Sequence, residues 1–243
     1  MASFLRNGHF VDLYVYDEPR GVPVGVNVLD ASEVLPRERM FLHRRTGSVA
    51  LFADWFRYKL LLEKGGIWSD TDVVCLRPLD YSEPVIFARQ DERQINNAIL
   101  GLPAGHELAA WMVACCENPN RPLPYDGLDM RLRKRMRRLL YADPHAHIGW
   151  GEHGPKGFTQ AARHLGYEHK ALPSWHFYPV CCDDWRSLFE SSERTGVVLP
   201  EDSRAVHLWN NMTRQWPGFD KNARFPESSP YEQLCRRYLD DDA

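Results

Sequence analysis

The pattern of apolar and polar residues predicts helices and strands that alternate along the chain. The clearest helix spans residues 49–64 (VALFADWFRYKLLLEK), which is apolar on nearly every face and is followed by the helix stop Gly65-Gly66. Further helices are predicted at 1–7, 106–116, 129–141 and 156–165. Strands are predicted at 10–16, 26–29, 67–76, 83–88, 175–180, 196–199 and 205–209. This alternation indicates an α/β fold.

The length of the chain indicates one domain. Its 243 residues are enough for a single α/β domain with a sizeable core. We expect a helical insertion near residues 106–150 and a polar C-terminal tail from about residue 218. The tail contains an Asp-x-Asp pair, Asp240 and Asp242, which we interpret as part of a solvated terminus.

Composition predicts a cytoplasmic protein. The net charge of −3 predicts no global attraction to nucleic acid or to anionic membranes. No apolar run approaches the roughly 18 residues of a membrane span, and the start MASFLRNGHF lacks the apolar centre of a secretory signal. None of the six cysteines forms a C-x-x-C pair, so we interpret them as reduced, mostly buried thiols.

Two carboxylates interrupt an otherwise apolar segment. Residues 65–79 (GGIWSDTDVVCLRPL) place Asp70 and Asp72 between flanks that favour burial. Buried, adjacent carboxylates are costly and repel each other unless a cation compensates them. Mg²⁺ or Mn²⁺ takes few protein oxygens and completes its coordination with water and phosphate oxygens. The segment therefore predicts a divalent metal site, although a pair of turn aspartates at a strand end is an alternative.

The preceding helix carries a charged pair on an apolar background. Asp54 and Arg57 are i, i+3 neighbours among Phe, Trp, Tyr, Leu and Val residues. Such a pair must be satisfied internally or must face a polar cavity. Since the helix leads through the two glycines into the DTD segment, this pair can line the same cleft. A structural ion pair is the alternative interpretation.

A third cluster lies near the end of the chain. In AVHLWNN (205–211), His207, Trp209 and Asn210 could supply a metal ligand, a stacking face and a hydrogen-bond donor. A satisfied strand histidine is the alternative for His207.

One predicted helix is strongly basic. Six cations lie between Arg131 and Arg138, next to a stripe formed by Leu132, Met136, Leu139 and Leu140. A solvated outer face is the default interpretation of these cations. The alternative is peripheral contact with an anionic acceptor or with the inner membrane leaflet. Nucleic-acid binding is not predicted, because no aromatic platform is interleaved with the charges.

The segment ADWFRYKLLLEKGGIWSDTDVVCLRPL resembles the sugar-binding DXD region of a glycosyltransferase family. That family includes bacterial capsular and lipopolysaccharide sugar transferases, α-1,4-galactosyltransferases and the yeast initiating α-1,6-mannosyltransferase. The residues that carry the resemblance are Asp54, Arg57, Gly65, Gly66, Trp68, Asp70 and Asp72. NNAILGLPAGH, GPKGFTQAARHLG, FYPV and HLWN are similar to further family segments, so the resemblance extends from about residue 12 onward.

The resemblance implies a GT-A-like fold with a mixed, mostly parallel sheet flanked by helices. It also implies a retaining hexosyltransferase that uses Mn²⁺ or Mg²⁺ and a nucleotide-sugar donor, a UDP-hexose rather than GDP-mannose. The acceptor would be a glycan or a lipid-linked sugar, in bacterial polysaccharide biosynthesis. The implied catalytic residues are Asp70, Asp72 and Arg57.

The resemblance also implies a role for each site residue. Asp72 would hold the metal, and Asp70 would bind the donor and help to position that metal. Asp54 and Arg57 would bond the donor sugar hydroxyls, and Trp68 would form an aromatic wall where the family more often has Tyr. The C-terminal cluster would close over the metal and the diphosphate, with His207 as a metal ligand and Trp209 and Asn210 as donor contacts.

Two other functions remain open at this point. Family members usually begin with a strand that this chain lacks, so a truncated, non-catalytic sugar-nucleotide-binding module is one alternative. The other is an Asp-x-Asp phosphotransferase of the haloacid dehalogenase type. That group requires a hydrophobic residue before the first Asp and a Thr two residues after the second, whereas this chain has Ser69 and Val74.

Overall fold

Within residues 1–239, which the computed structural model describes, seven strands and eight α-helices form a mixed α/β fold. The strands are β1 (Val11–Val15), β2 (Val26–Asp30), β3 (Gly66–Ser69), β4 (Val73–Cys75), β5 (Ile86–Arg89), β6 (Ile95–Leu102) and β7 (Ala205–His207). The helices are α1 (Ala2–Arg6), α2 (Ala50–Lys64), α3 (Glu107–Glu117), α4 (Leu128–Leu140), α5 (Pro155–His164), α6 (Ser192–Thr195), α7 (Asn210–Gln215) and α8 (Pro230–Leu239).

The strands form three small sheets rather than one mostly parallel sheet. In the described part of the chain, β1 and β2 pair in parallel, whereas β3-β6-β5 and β4-β7 are antiparallel. The prediction of a mostly parallel sheet is therefore wrong for these residues. Only residues 90–94 join β5 to β6, and so short a connection permits an antiparallel hairpin but not a parallel crossover.

Most of the predicted helices and strands are confirmed, but two predicted strands are absent and one strand was missed. Residues 175–180 and 196–199 are not strands; the first range overlaps a 3₁₀ helix at Ser174–His176 and continues as irregular, largely buried chain. Strand β6, which was not predicted, is buried along its whole length. Alternation of apolar and polar residues cannot identify a strand that is buried on both faces.

Helix α2 lies at the centre of the core. Leu51, Phe52, Trp55 and Tyr58 are buried, and α2 contacts α3, β3 and β6. Gly65 ends the helix with φ of +68°, and a Cβ there would lie 2.5 Å from the backbone nitrogen of Ala104. The glycine therefore allows the chain to turn tightly from α2 into β3.

The segment expected to be a polar tail contains α8. Leu234 and Tyr238, one helical turn apart, are buried, and α8 contacts α1. This apolar i, i+4 pair is too short a signal to stand out in a polar segment. Asp240 and Asp242 lie outside the described residues.

Two expectations from composition can be compared with the structure. Cys75, Cys115 and Cys116 are buried, whereas Cys181, Cys182 and Cys235 are half-buried, so the prediction of mostly buried thiols is confirmed for three of the six. Among residues 1–239, no helix combines the length and the apolar character needed to cross a membrane.

Candidate functional site

The DTD segment connects two sheets. Strand β3 pairs with β6, whereas β4 pairs with β7, so the chain passes from one sheet to the other between Ser69 and Val73. The backbone N–H of Asp70 donates to the carbonyl of Ala98 in β6 (2.8 Å), and that of Leu208 donates to the carbonyl of Asp72 (2.8 Å). These bonds hold the two carboxylates at the junction between the sheets.

Arg57 connects α2 to this junction. Its Nη2 donates to Asp70 Oδ1 (2.6 Å), and its Nη1 donates to the carbonyl of Asn97 (2.6 Å). Its Nη1 also lies 3.6 Å from Asp54 Oδ1. The guanidinium carbon lies 5.1 Å from the centroid of the Trp68 ring. The buried Arg57 guanidinium therefore compensates the carboxylates of both Asp54 and Asp70. This agrees with the prediction that a charged pair on this apolar helix must be satisfied internally or face a polar cavity.

Trp68 supplies a polar contact as well as an aromatic wall. The indole Nε1–H donates to Asp70 Oδ1 (2.6 Å), the same oxygen that accepts from Arg57. The Asp70 side chain remains 28 % exposed, so its carboxylate can still reach a ligand. The indole therefore provides a hydrogen-bond donor at a position where the family more often has a phenol.

Asp54 is buried beside Asn97 and Tyr58. Asn97 Nδ2 lies 3.1 Å from Asp54 Oδ1 and 2.8 Å from the hydroxyl oxygen of Tyr58, which in turn donates to the carbonyl of His153 (2.8 Å). Burial raises the pKa of Asp54 to about 6, against the opposing effect of Arg57. The repulsion from Asp70 acts in the same direction as burial.

The second carboxylate contacts the C-terminal cluster. Asp72 Oδ1 lies 3.2 Å from His207 Nε2, and Asp72 Oδ2 accepts from the backbone N–H of Asn210 (2.9 Å). Burial raises the pKa of Asp72, but these two contacts outweigh it and hold the pKa below its ordinary value. Asn210 thus contacts Asp72 through its backbone, and a contact of Asn210 with a nucleotide-sugar stays a prediction.

Trp209 packs inside the protein next to His207. Its indole is buried, its Nε1–H donates to the carbonyl of Val180 (3.0 Å), and its ring centroid lies 4.2 Å from that of His207. The backbone of Trp209 has a φ of 53°, which is strained for a non-glycine residue. Helix α7 begins directly after it, and the first N–H of the helix, that of Asn210, is directed at Asp72. A stacking role for Trp209 toward a donor stays a prediction.

The three predicted metal ligands lie together. Asp70, Asp72 and His207 each offer one ligand atom, and these atoms all lie within 4.8 Å of one another. Within the described chain, the buried Nδ1 of His207 has no hydrogen-bond partner. Two carboxylate oxygens and one imidazole nitrogen suit Mn²⁺, which accepts nitrogen ligands, better than Mg²⁺, which prefers oxygen. These residues therefore fit a divalent metal.

Sequence reasoning missed two residues that organise the site. Asn97 in β6 contacts Asp54 through its side chain and Arg57 through its carbonyl. The hydroxyl of Tyr178 accepts from the Ile99 N–H (3.3 Å), and its ring packs edge-on against His207. The signals were an asparagine pair in an apolar segment and the FYPV segment, both noted only for their resemblance to the family.

We expect Asp54 to make the stability of the protein depend on pH. Because its pKa in the folded state lies above its value of 3.8 in the unfolded state, the folded protein binds the proton more tightly. The stabilisation is complete below pH 3.8 and is lost as the pH rises through about 6. The difference of about two pKa units corresponds to about 3 kcal/mol.

Urea unfolding between pH 4 and pH 7 measures this effect. Asp54→Asn should remove about 3 kcal/mol of the pH dependence of the unfolding free energy, whereas Asp80→Asn, a change at an exposed carboxylate, should preserve it. Identical pH profiles for the wild type and Asp54→Asn would show that Asp54 is ionised at low pH like an exposed aspartate.

Two family models match the chain at this site. Residues 27–91 match the glycosyltransferase sugar-binding region containing the DXD motif, and residues 145–238 match the alpha 1,4-glycosyltransferase conserved region. The first range contains Asp54, Arg57, Asp70 and Asp72, and the second contains His207. Over these ranges the chain is similar to α-1,4-glycosyltransferases. The predicted resemblance to DXD-containing glycosyltransferases is thus confirmed.

The curated relatives of this chain are named as glycosyltransferases. Human alpha-1,4-N-acetylglucosaminyltransferase is 23 % identical over 219 residues, which cover 82 % of this chain and 52 % of the relative. Lactosylceramide 4-alpha-galactosyltransferase of Pongo pygmaeus is 25 % identical over 198 residues (76 % of this chain, 78 % of the relative). The human form is 24 % identical over 197 residues (76 % and 48 %), so the chain spans about half the length of both human relatives.

No solved structure matches the chain at a significant level. The matches to known proteins support the glycosyltransferase interpretation rather than the phosphotransferase alternative. The relatives described are mammalian, and the expected role in bacterial polysaccharide biosynthesis stays a prediction.

Proposed function

We propose that the chain is a metal-dependent, retaining glycosyltransferase of the GT-A type that transfers a hexose from a nucleotide-sugar. The observation that carries the proposal is the meeting of Asp70, Asp72 and His207 next to Arg57. These residues come from three separate parts of the chain, and both matched family regions contribute to the cluster. A UDP-hexose is the proposed donor, as the family resemblance implies.

Asp70, Asp72 and His207 would hold the metal in this proposal. When bound, a divalent ion would act as a Lewis acid and neutralise the departing nucleoside diphosphate. Asp72 suits this task because its pKa lies below the ordinary value, so it is ionised at neutral pH. Helix α7 begins at Asn210, whose N–H holds the second oxygen of Asp72 in place.

The remaining residues would position the donor sugar. Arg57 is held by Asp70 and by the Asn97 carbonyl, so its guanidinium is already oriented before a ligand arrives. Together with Asp54 it would bond sugar hydroxyls. The exposed part of the Asp70 carboxylate would stabilise the positive charge that develops at the anomeric carbon. Retention of configuration rests on the family resemblance.

The proposed acceptor is a glycan or a glycolipid. The names of several relatives contain lactosylceramide, a glycolipid, which supports a lipid-linked acceptor for this chain. The linkage suggested by the same names is α-1,4.

Thermal unfolding with nucleotides tests the donor site. UDP or a UDP-sugar with Mn²⁺ should raise the melting temperature, because a ligand that binds only the folded state stabilises it. At one hundred times Kd the stabilisation is about 2.7 kcal/mol, which corresponds to about 5–10 °C for a chain of this size. GDP and its sugar conjugates should give a smaller shift if the donor is a UDP-hexose.

Two variants make this experiment specific. Asp72→Ala should abolish the Mn²⁺-dependent shift, and Asp80→Ala, which changes an exposed aspartate, should retain it. A shift that survives in Asp72→Ala would place nucleotide binding elsewhere. Nucleotide binding without any donor turnover would favour the non-catalytic sugar-nucleotide-binding module.

A further inference from the structure

Helix α4 presents its apolar face to solvent and its charged face to the protein. The exposed apolar side chains of α4 are Leu128 (86 %), Leu132 (61 %), Met136 (44 %), Leu139 (69 %) and Leu140 (62 %). The buried residues of α4 are instead Lys134 and Arg137. The expectation that all six cations form a solvated face is therefore wrong for these two, and the stripe of apolar residues is not part of the core.

Ion pairs explain why this face is buried. Lys134 Nζ lies 2.7 Å from Asp126 Oδ2, and Arg137 forms two bonds with Glu152, at 3.0 and 2.9 Å. Burial raises the pKa of Glu152, but the bonds from Arg137 outweigh it and hold the pKa below its ordinary value. A cavity of about 570 Å³, lined by residues of α3, α4 and α5, lies beneath the helix. Polar contacts rather than apolar packing hold α4 in place.

The exposed cations flank the apolar stripe. At about 100° per residue, Leu128, Leu132 and Leu139 share one face of the helix, nearly opposite Arg137. Arg131, Arg135 and Arg138 lie along one border of this face, and Arg133 lies along the other. Arginine stems at these borders can extend past the leucines so that the guanidinium groups reach a polar, anionic layer.

Aromatic residues lie near the end of the stripe. Tyr141 and Trp150 are each 40 % exposed and line the same cavity as Leu140. Tyrosine and tryptophan are enriched where an apolar layer meets polar headgroups.

We propose that α4 docks this protein on the surface of an anionic phospholipid bilayer, with the leucine face in the interfacial layer. The occupant is assigned by charge: the solvent-exposed part of α4 carries four arginines, Arg131, Arg133, Arg135 and Arg138, against one aspartate, Asp129, and this excess of positive charge complements anionic headgroups. A second copy of the chain would bring two such arginine borders together, and like charges repel. The net charge of −3 does not oppose this, because the cations are concentrated on one helix.

This inference goes beyond the proposed function, because it does not depend on the donor site. Vesicle sedimentation tests it, with phosphatidylcholine vesicles that contain or lack phosphatidylserine. The wild type should bind the phosphatidylserine vesicles, and should bind pure phosphatidylcholine at least about tenfold more weakly. Raising the salt concentration should weaken binding, because the arginine contribution is screened.

Two sets of variants separate the apolar and the cationic contributions. The leucine variant combines Leu132→Gln with Leu139→Gln, and the arginine variant combines Arg131→Gln, Arg135→Gln and Arg138→Gln. Each should lower vesicle affinity at least about tenfold. Since these side chains are exposed, the melting temperature should not change. Two control variants change exposed residues elsewhere and should bind vesicles as the wild type does. The control for the leucine variant is Val24→Gln with Val198→Gln, and the control for the arginine variant is Arg20→Gln with Arg214→Gln and Arg224→Gln.

Three outcomes would overturn the proposal. The first is unchanged vesicle binding by the leucine variant, and the second is equal binding to both kinds of vesicle. The third is a wild type that forms dimers through this face and does not bind vesicles, with the dimers lost in the leucine variant. The thermal shift with UDP and Mn²⁺ reports the donor site separately, so failure of one proposal can be distinguished from failure of the other.

Discussion

Asp72→Asn is expected to lower kcat for sugar transfer by at least about a thousandfold while the protein stays folded. The carboxylate offers Oδ1 toward His207 and Oδ2 to the Asn210 N–H. An asparagine of nearly the same shape loses the negative charge and must direct its amide NH₂ at one of these two groups. Mn²⁺ affinity should therefore fall together with kcat.

Mn²⁺ titration of donor turnover distinguishes ligand loss from misfolding. In Asp72→Asn, the Mn²⁺ concentration for half-maximal activity should rise by at least about tenfold, with a melting temperature near that of the wild type in the absence of metal. Asp80→Asn is the matched control, since Asp80 is also an aspartate in an ion pair but is exposed. Full activity of Asp72→Asn at the wild-type Mn²⁺ concentration would show that Asp72 is not a metal ligand.

Arg57→Met is expected to destabilise the protein by about 3–5 kcal/mol. The buried guanidinium compensates Asp54 and Asp70, and its loss leaves both carboxylates without a cation. The Asn97 carbonyl also loses its donor. Urea unfolding at pH 7 measures the effect, and donor turnover should be lost even where the variant remains folded, because Asp70 is no longer oriented.

Arg37→Met serves as the matched control for Arg57→Met. Arg37 also bonds an aspartate through two nitrogens, at 2.7 and 2.8 Å to Asp17, but both side chains are exposed. Its replacement should destabilise the protein far less than that of Arg57, because exposed ion pairs contribute little. A second change, Asp54→Asn, should restore part of the stability of Arg57→Met. Equal losses for the two arginine variants would contradict the compensating role of Arg57.

Short segments of the sequence were sufficient to predict which residues of the candidate site lie close together. Asp54, Arg57, Trp68 and Asp70 lie within seventeen consecutive residues, and the helix, the glycine turn and the strand between them are locally determined. Their contacts in the structure follow from that local order. The pairing of Asp72 with His207 could only be suggested by resemblance, because 135 residues separate them and strand pairing brings them together.

The sequence by itself determined the main helices, the glycine turn and the positions of the acidic motif, since each depends on propensity and spacing along the chain. Tertiary structure decided the sheet pairings, the buried strand β6 and the orientation of α4. An amphipathic pattern shows that a helix has an apolar face but not what that face contacts. In α4 the ion pairs of Lys134 and Arg137 with Asp126 and Glu152 outweigh the tendency to bury leucines, and those partners lie outside the helix.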